Sequence, residues 1–223
     1  MIKRFVFLGT ERLRITELLK RGDTFFDVFA GVGPFAIPAA SNKCTVYAND
    51  LNPESYKWLK TNCKLNKVPG VHCYNMDGRD FIRQVVKNEV WKLMTEGGDE
   101  SATDVIHIIM NLPAIAVEFL DVFYGLFADV DPSLRLKAFT IHVYCYAFVK
   151  AEQDLSEVTV RVEKAVGAPI GDVSVTFVRN VAPYKDMIRV SFVLSDSILF
   201  AKHNSVDEPA SKRQCIENLD ATS

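Results

Sequence analysis

One segment, Asp27-Val-Phe-Ala-Gly31-Val-Gly33-Pro-Phe-Ala36, limits the possible folds of this chain more than any other stretch. It follows a compact aromatic and β-branched run, Thr24 to Phe29, that reads as a strand, and Pro34 stands where a first helical turn would start. A strand, a glycine loop and a helix in that order open a nucleotide-binding α/β unit. Glycine lets the chain turn while a ligand comes close to the backbone. The bare GxGxxA pattern is weak by itself. Asp50 sharpens it, ending a second strand-like run (Cys44 to Ala48) about 20 residues beyond the loop, where a carboxylate accepts both ribose hydroxyls of an adenosine. NAD and S-adenosylmethionine both satisfy that much. Asp27 tilts the choice toward S-adenosylmethionine, because a carboxylate just before the glycines attracts a methionine ammonium and repels a pyrophosphate.

Downstream the pattern alternates. Asn52-Pro53 opens a helix to about Asn66, Val71 to Tyr74 is a third strand, and Asp77-Gly78 leads into a helix through Phe81, Val85 and Val86. Thr95 to Thr103, rich in Gly, Glu and Asp, reads as a surface loop. Val105 to Met110 is almost purely apolar, as in a parallel strand buried on both faces. A helix from Ile115 to about Phe127, a strand from Ala138 to Ala147 and a helix from about Leu155 to Val166 continue the alternation. Val173 to Val181 and Met187 to Leu194 are then joined by 182–186, too short for a crossover helix, so these strands pair antiparallel. The expected fold class is α/β: a mostly parallel, seven-stranded, Rossmann-like sheet closed by an antiparallel hairpin, the class I S-adenosylmethionine-dependent methyltransferase arrangement.

A length of 223 residues with 48% hydrophobic composition suits one such domain. The expected boundaries are an N-terminal segment 1–22 with a short helix from Thr10, as N-cap, to Lys20, stopped by Gly22; a catalytic domain 23–200; and a disordered tail 201–223. The longest apolar runs, Phe25 to Phe29 and Val105 to Met110, fall far short of a bilayer of roughly 30 Å, so no membrane span is expected. The start carries no secretory pattern. Five scattered cysteines, without CxxC or His-rich spacing, read as free thiols in a reducing compartment and predict no metal. The net charge of −2 sits awkwardly with nucleic-acid binding. Lys3, Arg4, Arg12, Arg14, Lys20 and Arg21 form a local excess that is either the edge of a basic surface or a solvated helix face.

Two further motifs sit where chemistry is expected. Asp77-Gly78, after the third strand, is placed to hydrogen-bond an adenine amino group, although Asp77 would equally serve as a helix cap. Asn111-Leu-Pro113-Ala114 ends the fourth strand at the carboxyl edge, where open α/β sheets hold ligands. It is similar to the (Asn/Asp)-Pro-Pro-aromatic motif of enzymes that methylate nucleobase nitrogens, but Leu and Ala replace the second and fourth residues. Taken alone, Asn-Leu-Pro is also an ordinary turn.

Asp27-Val-Phe-Ala-Gly-Val-Gly-Pro-Phe-Ala-Ile-Pro38, Ala48-Asn-Asp-Leu-Asn-Pro-Glu-Ser55, Asn62-Cys-Lys-Leu-Asn-Lys67, Met110-Asn-Leu-Pro-Ala114 and Val178-Arg-Asn-Val-Ala-Pro183 together resemble the eukaryotic and archaeal tRNA (guanine(37)-N1)-methyltransferase family, from about residue 10 to about residue 195. The resemblance implies methyl transfer from S-adenosylmethionine to N1 of guanine 37, with tRNA as partner. Thr10-Glu11-Arg12 matches the family's Thr-Glu-(His/Arg) segment, which makes Glu11 the implied general base and Arg12 a cofactor contact. Guanine N1 has a proton to lose, so a positioned carboxylate is chemically apt. From the residues alone, Glu11 would instead be a first-turn acid favoured by the helix dipole. Asn111 and Pro113 would grip the base or cofactor edge. Asp27, Phe29, Gly31, Gly33, Asp50, Leu51, Asp77 and Gly78 would line the cofactor pocket, and Arg179 and Lys185 would touch RNA phosphate or else mark a solvated hairpin tip.

The match fails upstream. The family's Arg-Leu pair, its Phe-Ser-Lys-Val-Tyr-like strand and its tRNA-recognising N-terminal domains have no counterpart in Met1 to Gly9, nor has the arginine that neutralises guanine O6. That arginine's contribution to the transition state can reach a few kcal/mol. The expectation is therefore an incomplete or degenerate copy, with cofactor binding kept and tRNA methylation weakened or lost. Competing expectations are a methyltransferase for another tRNA purine or a wybutosine-pathway base, a non-catalytic RNA- or partner-binding scaffold, and, third, a nicotinamide dehydrogenase. A monomer is expected, and the resemblance further implies work in cytoplasm, nucleus and mitochondrial matrix.

Overall fold

A computed structural model describes residues 9–96, 103–151 and 153–202. Seven strands form one sheet in the order β3-β2-β1-β4-β5-β7-β6: β1 Thr24–Asp27, β2 Thr45–Asn49, β3 Val71–Tyr74, β4 Val105–Met110, β5 Thr140–Lys150, β6 Ser174–Ala182 and β7 Lys185–Val193. β1 pairs in parallel with β2 and β4, and β4 with β5, while β7 runs antiparallel between β5 and β6. The strand order reverses between β1 and β4, which opens a ligand crevice at their carboxyl ends.

The helices are α1 Gly9–Leu18, α2 Ala36–Ser41, α3 Pro53–Leu65, α4 Gly78–Asp80, α5 Lys87–Glu96, α6 Leu155–Val166 and α7 Asp196–Leu199. Local chemistry sets several ends. The Asn52 side chain accepts from the Glu54 N–H ahead of Pro53, and Asp154 accepts from the Ser156 N–H before Gly167 closes α6 in a left-handed conformation. One sheet face packs Ile106, Ile108, Val143, Cys145, Ile188 and Val190 against α5 and α6. The other packs Phe25, Ile109, Tyr144, Tyr146 and Met187 against α1 and α2. β5 shows the division in its sequence: Ile141, Val143, Cys145 and Ala147 alternate with His142, Tyr144, Tyr146 and Phe148.

Several expected boundaries need correction. α1 already includes Gly9, so Thr10 lies inside the first turn and is not its cap. It ends at Leu18, short of Gly22, because the Lys20 N–H turns to the Asp23 carboxylate at 2.6 Å. Pro34 precedes the first residue of α2 by two, in a turn closed by Gly33 N–H to the Ala30 carbonyl. The expected loop from Thr95 begins later, since α5 continues to Glu96; residues 97–102 lie outside the described ones, as do 1–8 and most of the tail expected at 201–223. The helix through Phe81 is a π-helical segment, Phe81–Val86, between α4 and α5. The hairpin turn is only Pro183-Tyr184, with Tyr184 at φ 61°, because Ala182 pairs with Lys185 and the Asn180 amide donates to Asp186.

The largest correction concerns Ile115 to Phe127, which is not an α-helix but a 3₁₀ helix over Ala116–Phe123. Its burial has a period of three: Ala116, Phe119 and Val122 form one buried row, Val117, Leu120 and Phe123 a second, while Glu118 and Asp121 stay exposed. In a 3₁₀ helix residues three apart stand above one another, so two apolar rows and one acidic row match this geometry better than 3.6 residues per turn.

Candidate functional site

The glycine loop hangs between neighbouring strand ends. Val28 N–H donates to the Ile109 carbonyl at 3.0 Å and Ala30 N–H to the Asn49 carbonyl at 2.7 Å, tying β1 to β4 and β2. Gly31 and Gly33 have φ of 55° and 94°. The φ of Gly33 strains any side chain there, and a Cβ would also lie 2.8 Å from Leu59 Cδ1 and 2.9 Å from Ile37 Cδ1, tips that would have to shift, whereas Gly31 faces open space. Asn62 on α3 braces the loop by donating to the Val32 carbonyl at 2.9 Å. The Asp50 carboxylate accepts from Gly31 N–H at 2.8 Å and from Asn52 N–H at 2.9 Å, which points it at the loop.

Asp27, at the end of β1, is fully buried and neither carboxylate oxygen has a hydrogen bond. Burial, and then the negative charge of Asp50, push its pKa up to about 8, offset in part by the nearby Phe29 and Ala36 amides. One strand over, the Asn111 side-chain oxygen is buried and equally without a partner. Among the described residues these are the three buried side-chain polar atoms lacking a hydrogen bond, and all three stand at the carboxyl ends of β1 and β4. Buried polar atoms are almost always paired, so such a cluster marks where a polar or charged ligand belongs.

The adenosine-side candidates also converge. The Asn75 amide donates to the Asp50 and Leu51 carbonyls at 2.7 and 2.9 Å, holding Leu51 with its side chain 65% exposed beside the loop. Asn49, fully buried, bridges the Val28 and Met76 carbonyls and the Met76 N–H, joining three strand ends. Gly78 packs against Phe29, and a Cβ there would meet the Phe29 ring at 2.8 Å; Phe29 and Phe119 stand edge to face at 5.0 Å. Asp77 does cap α4, accepting from Arg79 N–H at 2.8 Å, which occupies one of its two oxygens.

Pro113 anchors the loop after β4, its carbonyl accepting from Phe148 N–H at 3.1 Å. The pairing of Met110 with Cys145 puts Asn111 level with Tyr146 on β5. The Tyr146 hydroxyl donates at 2.9 Å to Glu11, which α1 buries against the sheet. Burial, and then the Glu11 carboxylate, push the Tyr146 phenol up, so it stays a donor. Arg189 on β7 and Arg14 on α1 also donate to Glu11. Arg12 follows Glu11 on α1, half-buried. Arg179 is exposed on the edge strand β6 and pairs through the backbone with Met187 on β7. Lys185 at the hairpin tip lies 4.1 Å from the Phe148 ring centre. Asn49, Asn75, Tyr146 and Arg189 were not anticipated; the signal for Tyr146 was its place in the aromatic row of β5. Among the described residues no group of three or more His, Cys, Asp or Glu is placed to hold a metal, and no helix is long and apolar enough to cross a membrane.

Residues 5–131, more than half of the chain, match the TRM5/TYW2 methyltransferase domain. The chain belongs to this family. A tRNA (guanine(37)-N(1))-methyltransferase of Xenopus tropicalis is 52% identical over 207 residues, covering 92% of this chain and 41% of that protein. This TRM5/TYW2 domain therefore spans about two fifths of that relative's length. The structure of Methanocaldococcus jannaschii Trm5 in complex with adenosine superposes with a TM-score of 0.57 at 26% identity, covering 85% of this chain and 49% of that one. The complex of aTrm5 with tRNALeu gives the same TM-score and identity, covering 85% and 46%. The fold is accordingly that of the S-adenosylmethionine-dependent Trm5 and TYW2 enzymes, seven strands with the closing hairpin included.

Proposed function

We propose that this chain carries the cofactor site and catalytic residues of a methyltransferase acting on N1 of guanine 37 in tRNA. The observation that carries the reading is the set of orphaned polar atoms of Asp27 and Asn111 at the strand reversal. Relatives named for guanine-37 N1 methylation, an adenosine complex and a tRNA complex of the same fold support it. S-adenosylmethionine, when bound, supplies an electrophilic methyl group.

The chain's own residues divide the remaining work. Asp27 offers its buried charge to the cofactor's ammonium, Asp50 the oxygens for ribose hydroxyls, and Leu51, Phe29 and Gly78 an apolar surround for adenine. Asn111, with the Pro113 loop pinned to β5, orients the target base, and its unpaired oxygen accepts from a base N–H. Glu11 takes the proton that guanine N1 loses. Lys185 and Arg179 meet RNA phosphate. A monomeric state belongs to the same proposal, as does action in cytoplasm, nucleus and mitochondrial matrix, which rests on the family alone.

Calorimetric titration with S-adenosylhomocysteine and, separately, NADH tests the cofactor assignment. Micromolar binding of the first that vanishes in Asp50→Ala is expected. Preferential binding of NADH, or no binding of either by folded protein, contradicts the proposal.

A further inference from the structure

The two oxygens of the Glu11 carboxylate are not equivalent. Oε1 receives two donors, Arg189 Nη1 and the Tyr146 hydroxyl. Oε2 receives only Arg14 Nη1 at 3.3 Å, and the Arg14 side chain is 46% exposed and shares the same nitrogen with the Phe177 carbonyl at 3.4 Å. One oxygen is gripped from within the sheet, and the other is touched by a surface arm.

The grip is itself braced. Tyr146 and Arg189 are direct cross-strand partners on β5 and β7, so their two donors converge on Oε1 from adjacent strands. Arg189 Nε donates to Ser191 at 3.2 Å, Nη2 to Thr176 on β6 at 3.4 Å, and its guanidinium carbon lies 5.9 Å from the Tyr144 ring centre. A planar fork fixed at three corners holds a carboxylate in one orientation, which the point charge of a lysine does not do. A buried ion pair is a poor device for stability alone, because desolvation of both charges offsets their attraction.

We infer that Arg189 is a positioning residue: with Tyr146 it fixes Glu11 through Oε1 and leaves Oε2 as the oxygen that accepts the guanine N1 proton. The N1–H bond breaks and the proton passes to Oε2 as Arg14 swings aside; the electron pair left on N1 would form the bond to the methyl group as the methyl–sulfur bond of S-adenosylmethionine breaks, its pair leaving with sulfur as S-adenosylhomocysteine. The inference rests on Glu11 being the general base. It also gives the closing hairpin a role at the catalytic edge, since β7 carries the residue that aims a side chain of α1.

Arg189→Lys is the discriminating variant, because it keeps a positive charge beside buried Glu11 and so preserves folding, checked by its thermal midpoint. With G37 tRNA and S-adenosylmethionine, its kcat is expected to fall about tenfold to a hundredfold, the scale of lost orientation, with KM for tRNA and S-adenosylhomocysteine affinity unchanged. In the Glu11→Gln background the same substitution should have no further effect, since residues acting through one group are non-additive. Wild-type kcat in Arg189→Lys, or a double variant slower by the product of the two single effects, overturns the positioning role alone. Full activity of Glu11→Gln, or no turnover by the unaltered chain, removes the proposed base or function and the positioning role with it.

Discussion

Asp27 carries an electrostatic cost in the ligand-free protein that a bound cation would remove. Its carboxyl is buried, lacks a hydrogen bond and faces the charge of Asp50, so its pKa rises to about 8. A raised carboxylate pKa means that the stability of the protonated form is complete below the unfolded value near 3.8 and is lost as pH climbs through about 8. At pH 8 the loss is of the order of 5 kcal/mol. Asp27→Asn should therefore raise the thermal midpoint of the ligand-free protein at pH 8 by several degrees, with a smaller gain at pH 5, as scanning calorimetry would show. The same variant should lose S-adenosylhomocysteine binding. In the unaltered protein that affinity should rise up to tenfold per pH unit between about pH 6 and 8 and then level off, with proton release on binding below pH 8. A flat affinity across that range would contradict the ammonium role. Asp27 could be singled out in the sequence from its place before the glycines. Its lack of a hydrogen bond could not, because that depends on what every neighbouring group does with its own hydrogen bonds.

Among the elements, the 3₁₀ segment Ala116–Phe123 makes the sharpest demand on its residues. Leu120 is fully buried in one of its two apolar rows, so Leu120→Ala should cost about 2–5 kcal/mol in urea unfolding. Asp121, on the exposed row, pairs with Arg79 at 3.3 Å with both side chains substantially solvated, and Asp121→Ala should cost under about 1 kcal/mol. Similar costs for the two would mean that the segment is not packed in rows of three. The order of the elements was readable from alternation, turn residues and the short hairpin link. This segment was not, although Ala-Val-Glu-Phe-Leu-Asp-Val-Phe repeats two apolar residues and one acid, because an apolar run after a turn suggests the commoner α-helix. Arg189 escaped for a different reason. One arginine in Met187-Ile-Arg-Val190 suggests a solvated face, and its partner Glu11 lies 178 residues away, so only the folded sheet brings the two together.

At the scale of the whole molecule, a net charge of −2 leaves little general attraction for RNA, so the proposed tRNA binding would depend on a few placed cations. The hairpin carries two candidates, Arg179 on β6 and Lys185 at the tip, the latter next to the β5 segment that pins the Asn111 loop. Replacing both by alanine should weaken tRNA binding and reduce the slope of log affinity against log salt by about two, one per lost phosphate contact. An unchanged slope would take the hairpin out of the RNA surface. The architecture ties these parts together. The strand reversal puts the orphaned atoms of Asp27 and Asn111 at the carboxyl ends of adjacent strands, β5 links Pro113 to Tyr146, and β7 reaches Glu11 through Arg189.

The central claim is that these residues methylate one atom of one base. The direct measurement is nucleoside mass spectrometry, with fragment mapping, of tRNA transcripts carrying guanine or adenine at position 37 after incubation with the chain and S-adenosylmethionine. The account predicts 1-methylguanosine at position 37, none from the adenine transcript and none from Glu11→Gln. Methylation at another position or atom, or no product from a chain that binds S-adenosylhomocysteine and tRNA, would contradict it.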